Sequence, residues 1–299
     1  MPGITAIVCT YRRSNFLGAC LDSLTSQTAP DLSILVVGVK ADTASRDLVI
    51  KRGVPFVAQA EPEGIAAARN LGIESSTDPI VAFIDDDARA RAGWAEALVD
   101  AFESADVGGV GGPVFDTRKG IQYVFDWRVD PFGISHTVRE HQDWKGMLPT
   151  INGCNMAFSR SALDKIGGFD PYYRYYYDET DLCVRLAQQG FSIRFEESAI
   201  VDHDFAEGPT RNRFLYNSTR TRAYFSLKNF GQTVPVSRLF AGQVRLIRND
   251  IRAYRLFRQR YKGLRGGATA LQEACSGRIR GIVDGIGVLR QRRARSRSV

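Results

Sequence analysis

The stretch Ile80-Val81-Ala82-Phe83-Ile84-Asp85-Asp86-Asp87 decides how this chain reads: five apolar residues run without a break into three carboxylates. An apolar run of that length behind the Asp78-Pro79 turn signal is a strand buried on both faces. Working outward, the same kind of run recurs at residues 4–10 and 33–39, with a shorter one at 55–58. Between them lie helix-period segments: Leu17, Cys20, Leu21 and Leu24, then residues 43–52, then 65–73. Strands alternating with helices in this way predict an α/β fold, a mostly parallel sheet covered by helices on both faces. Ligands of such sheets sit at the carboxyl ends of the strands, which is where the three aspartates stand.

Further along, the cluster Gly108-Gly109-Val110-Gly111-Gly112-Pro113 ends the alternation, and the aromatic, turn-rich residues 114–150 read as functional loops. Order returns at 152–158, followed by a helix from Ser161, a loop holding Tyr172, Tyr173, Tyr175, Tyr176 and Tyr177, a helix over 179–189 stopped by Gly190, a strand at 192–195 and the run 200–203. No internal repeat is found.

With 299 residues, 44% hydrophobic and 24% charged, the chain suits one large or two modest globular domains, which excludes a disordered or fibrous protein. No apolar run reaches the roughly 18 residues of a spanning helix, and the start lacks the basic and apolar regions of a secretory signal. Neither a spanning helix nor export is expected. Five cysteines without a CxxC pair, and only three histidines, point to reduced thiols in a cytoplasmic protein rather than a zinc cluster. The net charge of +7 is unevenly spread: residues 1–205 hold 19 Lys and Arg against 29 Asp and Glu, and residues 206–299 hold 21 against 4. An acidic body with a basic tail suggests that the tail meets a polyanion.

Three adjacent carboxylates repel one another, so solvent, a cationic side chain or a divalent metal must offset the repulsion. Hard oxygen ligands at a strand end suit Mg²⁺ or Mn²⁺; a solvated acidic turn is the plainer reading. Asp178-Glu179-Thr180-Asp181 supplies a second acidic group at the start of a helix, where carboxylates also serve as caps. One group fit for metal and one fit for proton abstraction are what transfer from a phosphorylated donor to a hydroxyl requires. His203 is either a third metal ligand or a structural histidine.

Over residues 4–205 the sequence resembles the family 2 glycosyltransferases of the GT-A fold. The motifs that carry the resemblance stand in order: Val8-Cys9-Thr10-Tyr11-Arg12-Arg13; Leu21-Asp22-Ser23-Leu24 with Gln27; Gly64 with Ala68-Arg69-Asn70-Leu71-Gly72; Asp85-Asp86-Asp87; Asn152-Gly153-Cys154-Asn155-Met156-Ala157-Phe158 with Gly167-Gly168-Phe169-Asp170; and Asp178-Glu179-Thr180-Asp181-Leu182-Cys183-Val184-Arg185-Leu186. The resemblance implies a metal-dependent inverting glycosyltransferase that uses a nucleotide diphosphate sugar and a saccharide or lipid-linked acceptor. Thr10, Tyr11, Arg13 and Arg69 would border the nucleotide, and Asp85 and Asp86 would contact ribose or metal-bound water. Asp87 would ligate Mn²⁺ or Mg²⁺ together with Asp85 and His203. Glu179 matches the position of the catalytic base, with Asp178 and Asp181 as competitors. Asn152, Gly153, Cys154, Asn155, Trp127 and Tyr177 would lie on the acceptor side. One departure concerns the base-reading carboxylate usual after the second strand: this chain has Gly38-Val39-Lys40-Ala41-Asp42, with Asp42 the candidate substitute.

The resemblance divides the chain into a catalytic domain (1–205, with acceptor-side loops at 114–177), a basic helical extension (206–289) and a disordered basic tail (290–299). Within the extension Val236, Phe240, Val244, Ile247, Ile251, Tyr254, Phe257 and Tyr261 recur at helical spacing among arginines. Such a helix lies on an anionic membrane, packs on the catalytic domain or pairs with a second subunit in a homo-oligomer. Aromatic residues including Tyr123, Phe125, Trp127, Phe132, Trp144 and the tyrosine run offer faces for sugar rings or for core packing. Two rivals remain. A nucleotidyltransferase would need a glycine-rich phosphate loop where Tyr11-Arg12-Arg13-Ser14 stands, and a nucleic-acid-binding protein would leave Asp85, Asp87 and Glu179 unexplained.

Overall fold

The computed structural model describes residues 2–29, 31–137, 144–205, 214–260 and 267–295. Strands β1 (Ile4–Cys9), β2 (Leu32–Val39), β3 (Phe56–Gln59) and β4 (Ile80–Asp85) alternate with helices α1 (Ser14–Thr25), α2 (Thr43–Lys51) and α3 (Ile65–Glu74). Next come β5 (Ala88–Ala90), α4 (Trp94–Asp100), β6 (Val107–Gly111), β7 (Val114–Asp116), β8 (Ile121–Val124), β9 (Trp127–Val129), β10 (Ser135–Thr137) and β11 (Leu148–Thr150). After them stand β12 (Asn155–Ser159), α5 (Arg160–Ile166), α6 (Asp178–Gln188), β13 (Ser192–Phe195) and β14 (Val201–His203). Seven strands form the central sheet in the order β13-β6-β12-β4-β1-β2-β3. All its pairs are parallel except those of β12, which runs antiparallel to both β4 and β6.

Period-2 alternation along the strands explains why helices cover both faces. From β1, Ile4, Ala6 and Val8 join Leu17 and Leu21 of α1 and Trp94 and Leu98 of α4 in one core. Ile7 points the other way, to Ala66 and Ile73 of α3, Leu163 of α5 and Leu182 of α6. Full burial of each such aliphatic side chain stabilises by about 1.5–3 kcal/mol. The parallel strands therefore end together, and the residues after β1, β2 and β4 meet at one edge.

The segment expected to be loops is partly strand. β9 lies between β10 and β11, while β14 lies between β5 and β7, with β8 beyond. The second of these small sheets sets the site's geometry, because β14 pairs antiparallel with β5 in a register that puts His203 opposite Ala88, the residue after the three aspartates.

The C-terminal region is three helices, α7 (Phe214–Phe230), α8 (Val236–Arg260) and α9 (Gly267–Arg295). Helix α7 falls within the expected helical extension, and α9 continues to Arg295, so helix replaces part of the tail expected to lack structure; residues 296–299 lie outside the described residues. Helices α7 and α9 approach closely at glycines: a Cβ on Gly277 or Gly281 would stand 2.3 or 2.1 Å from the carbonyl oxygens of Tyr216 and Arg220. Phe225, Leu227, Leu239, Ile282 and Leu289 of these helices form a third core with Tyr173 and Val184 of the body. The apolar stripe read in α8 packs only in part, Val236 lying against this third core. Leu239, Gln243 and Leu246 are buried, whereas Phe240 and Val244 of the stripe stay 50% and 48% exposed. The side chains of Ile251, Tyr254, Phe257 and Tyr261 lie outside the described residues. Among the described residues no helix is long and apolar enough to cross a membrane.

Candidate active site

A cavity of about 380 Å³ opens at the carboxyl ends of β1 and β2, lined by residues that include Thr10, Tyr11, Arg13, Gly38, Gln59, Asp86 and Tyr175. Gly38 is dictated by space, since a Cβ there would come within 2.6 Å of the Phe56 ring. Thr10 donates to Asp86 at 2.7 Å, and Arg13 reaches Asp86 at 3.0 Å while also pairing with Asp87. Burial pushes the Asp86 carboxyl up to about 7, against the opposing pull of Arg13 and Thr10.

Asp42 is not among the residues lining this cavity. Its carboxylate accepts from the backbone N–H of Ser45 at 3.3 Å, capping α2, and from that of Arg12 at 2.5 Å. Arg12 has a left-handed φ of 55°, so Asp42 fixes the turn after β1, and the substitution for a base-reading carboxylate is corrected accordingly. The side-chain amide in the cavity wall is instead that of Gln59.

The carboxylates at the end of β4 have separate environments. Asp87 faces His203, with Nε2 at 3.1 Å from its Oδ1, and Tyr123 stands 2.7 Å from His203 Nδ1 on the far side of the ring. Burial alone would lower the His203 pKa, but the bond to Asp87 and the charges of Asp85 and Asp87 together outweigh it and hold the imidazole above its ordinary value. Asp85 is the most exposed of the three, its side chain 36% accessible, with Arg69 3.7 Å away. Ligating atoms of Asp85, Cys154 and His203 lie within 4.8 Å of one another. Carboxylate oxygens beside an imidazole nitrogen fit a divalent cation such as Mn²⁺ or Mg²⁺.

The three carboxylates of the first turn of α6 also divide. Asp178 is buried against Arg69, which further donates to Gly153 O at 2.9 Å. Burial opposes the charge of Arg69, yet Asp178 and Asp85 together hold its pKa above the ordinary value. Asp181 is wholly buried and receives Lys228 Nζ at 2.7 and 2.8 Å, Arg185 Nε at 2.7 Å, Asn229 Nδ2 at 2.9 Å and the Tyr173 hydroxyl at 3.0 Å. Burial works against ionisation, but Lys228 and Arg185 overcome it and bring the Asp181 pKa to about 2. Glu179 is half-buried and forms no ion pair among the described residues; burial and the neighbouring Asp178 push its carboxyl well above the ordinary range, against the pull of Arg69.

The residues expected on the acceptor side scatter. Asn152 accepts from Cys154 N at 3.0 Å, shaping the turn into β12 and setting Cys154 beside the metal-ligand candidates. Asn155 is a core residue: wholly buried, it accepts from Trp94 Nε1 at 2.9 Å and donates to Pro113 O and Ala199 O at 3.2 and 2.7 Å. The Tyr177 hydroxyl donates to Gly133 O at 2.5 Å and accepts from Arg222 Nε at 2.8 Å. Tyr172 stacks on Tyr224 with ring centroids 3.6 Å apart, and Tyr173 is buried. The tyrosine run thus ties the loop to the C-terminal helices, except for Tyr175, which lines the cavity at the ends of β1 and β2. Trp127 on β9 is half-buried, and its indole N–H has no hydrogen-bond partner. Sequence reasoning missed Lys228, Gln59 and the role of Tyr123, for which local sequence carries no signal.

The fold recurs in known proteins. The mannosyltransferase PcManGT from Pyrobaculum calidifontis, crystallised with GDP-Man and Mn²⁺, superposes with a TM-score of 0.57 at 16% identity, over 95% of this chain and 88% of that one. TarS from S. aureus gives 0.59 at 13% identity, over 94% and 81%. By sequence, the chain is 28% identical over 233 residues to the glucosyl-dolichyl phosphate glucuronosyltransferase of Haloferax volcanii, covering 71% of this chain and 72% of the relative. It is 31% identical over 147 residues to the pre-mycofactocin glycosyltransferase of Mycobacterium tuberculosis, 48% of this chain and 30% of the relative. The model of the family "Glycosyl transferase family 2" matches residues 5–167, and that of the N-terminal domain of galactosyltransferase matches 133–204. With more than half of its length matched and the sheet to go with it, the chain belongs to glycosyl transferase family 2 and is a glycosyltransferase of the GT-A fold.

Proposed function

We propose that this glycosyltransferase moves a sugar from a nucleoside diphosphate sugar to a hydroxyl of a saccharide or lipid-linked acceptor, with inversion and with the help of a divalent metal. The observation that carries the reading is that Arg13 of the cavity wall joins Asp86 to Asp87, which meets His203, while Arg69 joins Asp85 to Asp178, the residue before Glu179. The nucleoside occupies the cavity, and the polar atoms of Gln59 and the ring of Tyr175 hold its base. Asp87, Asp85 and His203 would hold Mn²⁺ or Mg²⁺, which would supply the positive charge that offsets the diphosphate leaving group. Arg69, anchored by Asp178 and Gly153, sets the wall between the two groups of carboxylates.

Within the first turn of α6, Lys228 and Arg185 occupy Asp181, and Arg69 occupies Asp178. Glu179 is the carboxylate left to accept the proton of the acceptor hydroxyl while its oxygen attacks the anomeric carbon. Its raised pKa suits that role, because a stronger base takes the proton more readily in the transition state. Direct displacement by the acceptor inverts the anomeric centre.

The chain organises as a catalytic unit over 1–205 with the helices of 206–289 docked on it. Phe240 and Val244, flanked by exposed Arg238, Arg245 and Arg248, make α8 a basic amphipathic surface for an anionic membrane face, which would bring a lipid-linked acceptor to the site. A thermal-shift screen against UDP-, GDP-, dTDP- and CMP-linked sugars, with and without Mn²⁺ or Mg²⁺, tests the donor reading. Stabilisation by one nucleotide class that requires the metal is the expected result; equal stabilisation without metal would remove the metal from the proposal.

A further inference from the structure

The loop that leads into α6 is gripped from one side by the C-terminal helices. At its start, Asp170 Oδ2 accepts from Lys228 Nζ at 2.7 Å and from the Tyr224 hydroxyl at 3.0 Å. At its end the same ammonium meets both oxygens of Asp181, at 2.7 and 2.8 Å. Lys228 is 5% exposed and Asp181 0%, so neither ion is compensated by water. Between these anchor points Tyr176 and Tyr177 both take left-handed backbone conformations, with φ of 64° and 70°. Residues with a Cβ hold such conformations only where their surroundings impose them. The next two residues are Asp178 and Glu179.

We propose that Lys228 is a positioning residue for Glu179: by bridging Asp170 and Asp181 it locks the left-handed turn at Tyr176 and Tyr177 and the first turn of α6, so that the C-terminal helices complete the active site. The proposal rests on the reading of Glu179 as the base. The bridge is electrostatic as well as steric. Without the ammonium, Asp170 and Asp181 flank the turn as like charges and push the loop away from α6, whereas a packing role alone would be met by any side chain of similar volume. Asn229 and Arg185 still hold Asp181 from α7 and α6, but no other cation joins it to Asp170 among the described residues.

The test compares Lys228→Met, Lys228→Arg and Glu179→Gln in the full chain, using melting temperature, hydrogen exchange across residues 170–190, and the release of nucleoside diphosphate to water from UDP-glucose, GDP-mannose and dTDP-glucose with Mn²⁺. Lys228→Met is expected to speed exchange selectively at residues 175–182. At a temperature well below its melting point it keeps donor affinity while turnover falls by up to about 100-fold, the effect of displacing a catalytic group by roughly 1 Å. Lys228→Arg recovers most of both. Unchanged exchange at 175–182 in Lys228→Met overturns the proposal whichever donor is bound. Unchanged turnover in Lys228→Met alongside a slow Glu179→Gln overturns it while sparing the base; unchanged turnover in Glu179→Gln removes the base and the proposal with it. Should Lys228→Met fail to fold, Tyr224→Phe loosens Asp170 by one hydrogen bond, and exchange and turnover are read by the same criteria.

Discussion

The two walls of the active site are built in different ways. The donor wall comes from strand ends that adjoin one another in a parallel sheet, so Thr10, Arg13, Gly38, Gln59 and Asp86 are brought together by the sheet itself. The opposite wall is assembled from distant parts of the chain: Gly133, the tyrosine loop, the first turn of α6, and Arg222, Lys228 and Asp284 of the C-terminal helices. On the donor side a charged residue faces the ligand space. On the other side most charged and aromatic residues face one another, and Glu179 is the exception. The same residue types therefore mean binding on one wall and architecture on the other.

The largest expected effect falls on the donor side: Asp87→Ala should abolish metal-dependent donor binding in calorimetry, and retained binding would dissolve the contrast. Asp181→Asn should act on stability instead, because it leaves buried Lys228 with Asp170 as its one remaining carboxylate among the described residues; removal of one partner from a buried ion pair costs about 3–5 kcal/mol, read by chemical denaturation. The Asp181 contribution is present above the ordinary carboxylate pKa and disappears as pH falls toward its folded value of about 2.

Glu179→Gln should lower turnover by roughly 100-fold with donor affinity kept. Because burial and Asp178 raise the Glu179 pKa, the wild-type rate should fall with decreasing pH already above the ordinary carboxylate range, where Glu179 takes up a proton and can accept no other. An acid limb that persists in Glu179→Gln would assign it to another group. Smaller still, Arg238→Ser, Arg245→Ser and Arg248→Ser should each weaken sedimentation with anionic vesicles by about 1 kcal/mol, and sedimentation insensitive to all three would turn that face of α8 toward a protein partner. Least of all, Asp42→Ala should cost about 1 kcal/mol through the lost helix cap and leave the choice of donor nucleotide unchanged. A switch of nucleotide would return Asp42 to the donor wall.

Much of this was legible before any coordinates. Runs of β-branched and aliphatic residues announced β1, β2 and β4, and the three aspartates at the end of one of them marked the ligand edge. The ordered motifs gave the family. The helix at α8 was visible as well, but which of its faces packs was not, because Phe240 and Val244 look more core-like than Gln243. What turned Gln243 inward is its bond to Phe132 O at 3.1 Å and its pairing with buried Arg278. Asn155, expected on the acceptor side, is hidden from local reading in the same way: three buried partners from α4 and two loops satisfy its amide, and none is near it in sequence.

By itself the sequence determined the sheet, its helical covering and the edge at which chemistry takes place, since hydrophobic period and strand-end carboxylates are local properties. Only the tertiary structure decided the division of labour among chemically alike groups. It placed His203 against Asp87 through the register of β14 on β5, gave Asp178 to Arg69 and Asp181 to Lys228, and left Glu179 without an ion pair among the described residues. Which partner a carboxylate meets depends on contacts between residues far apart in the chain, and no local pattern encodes them.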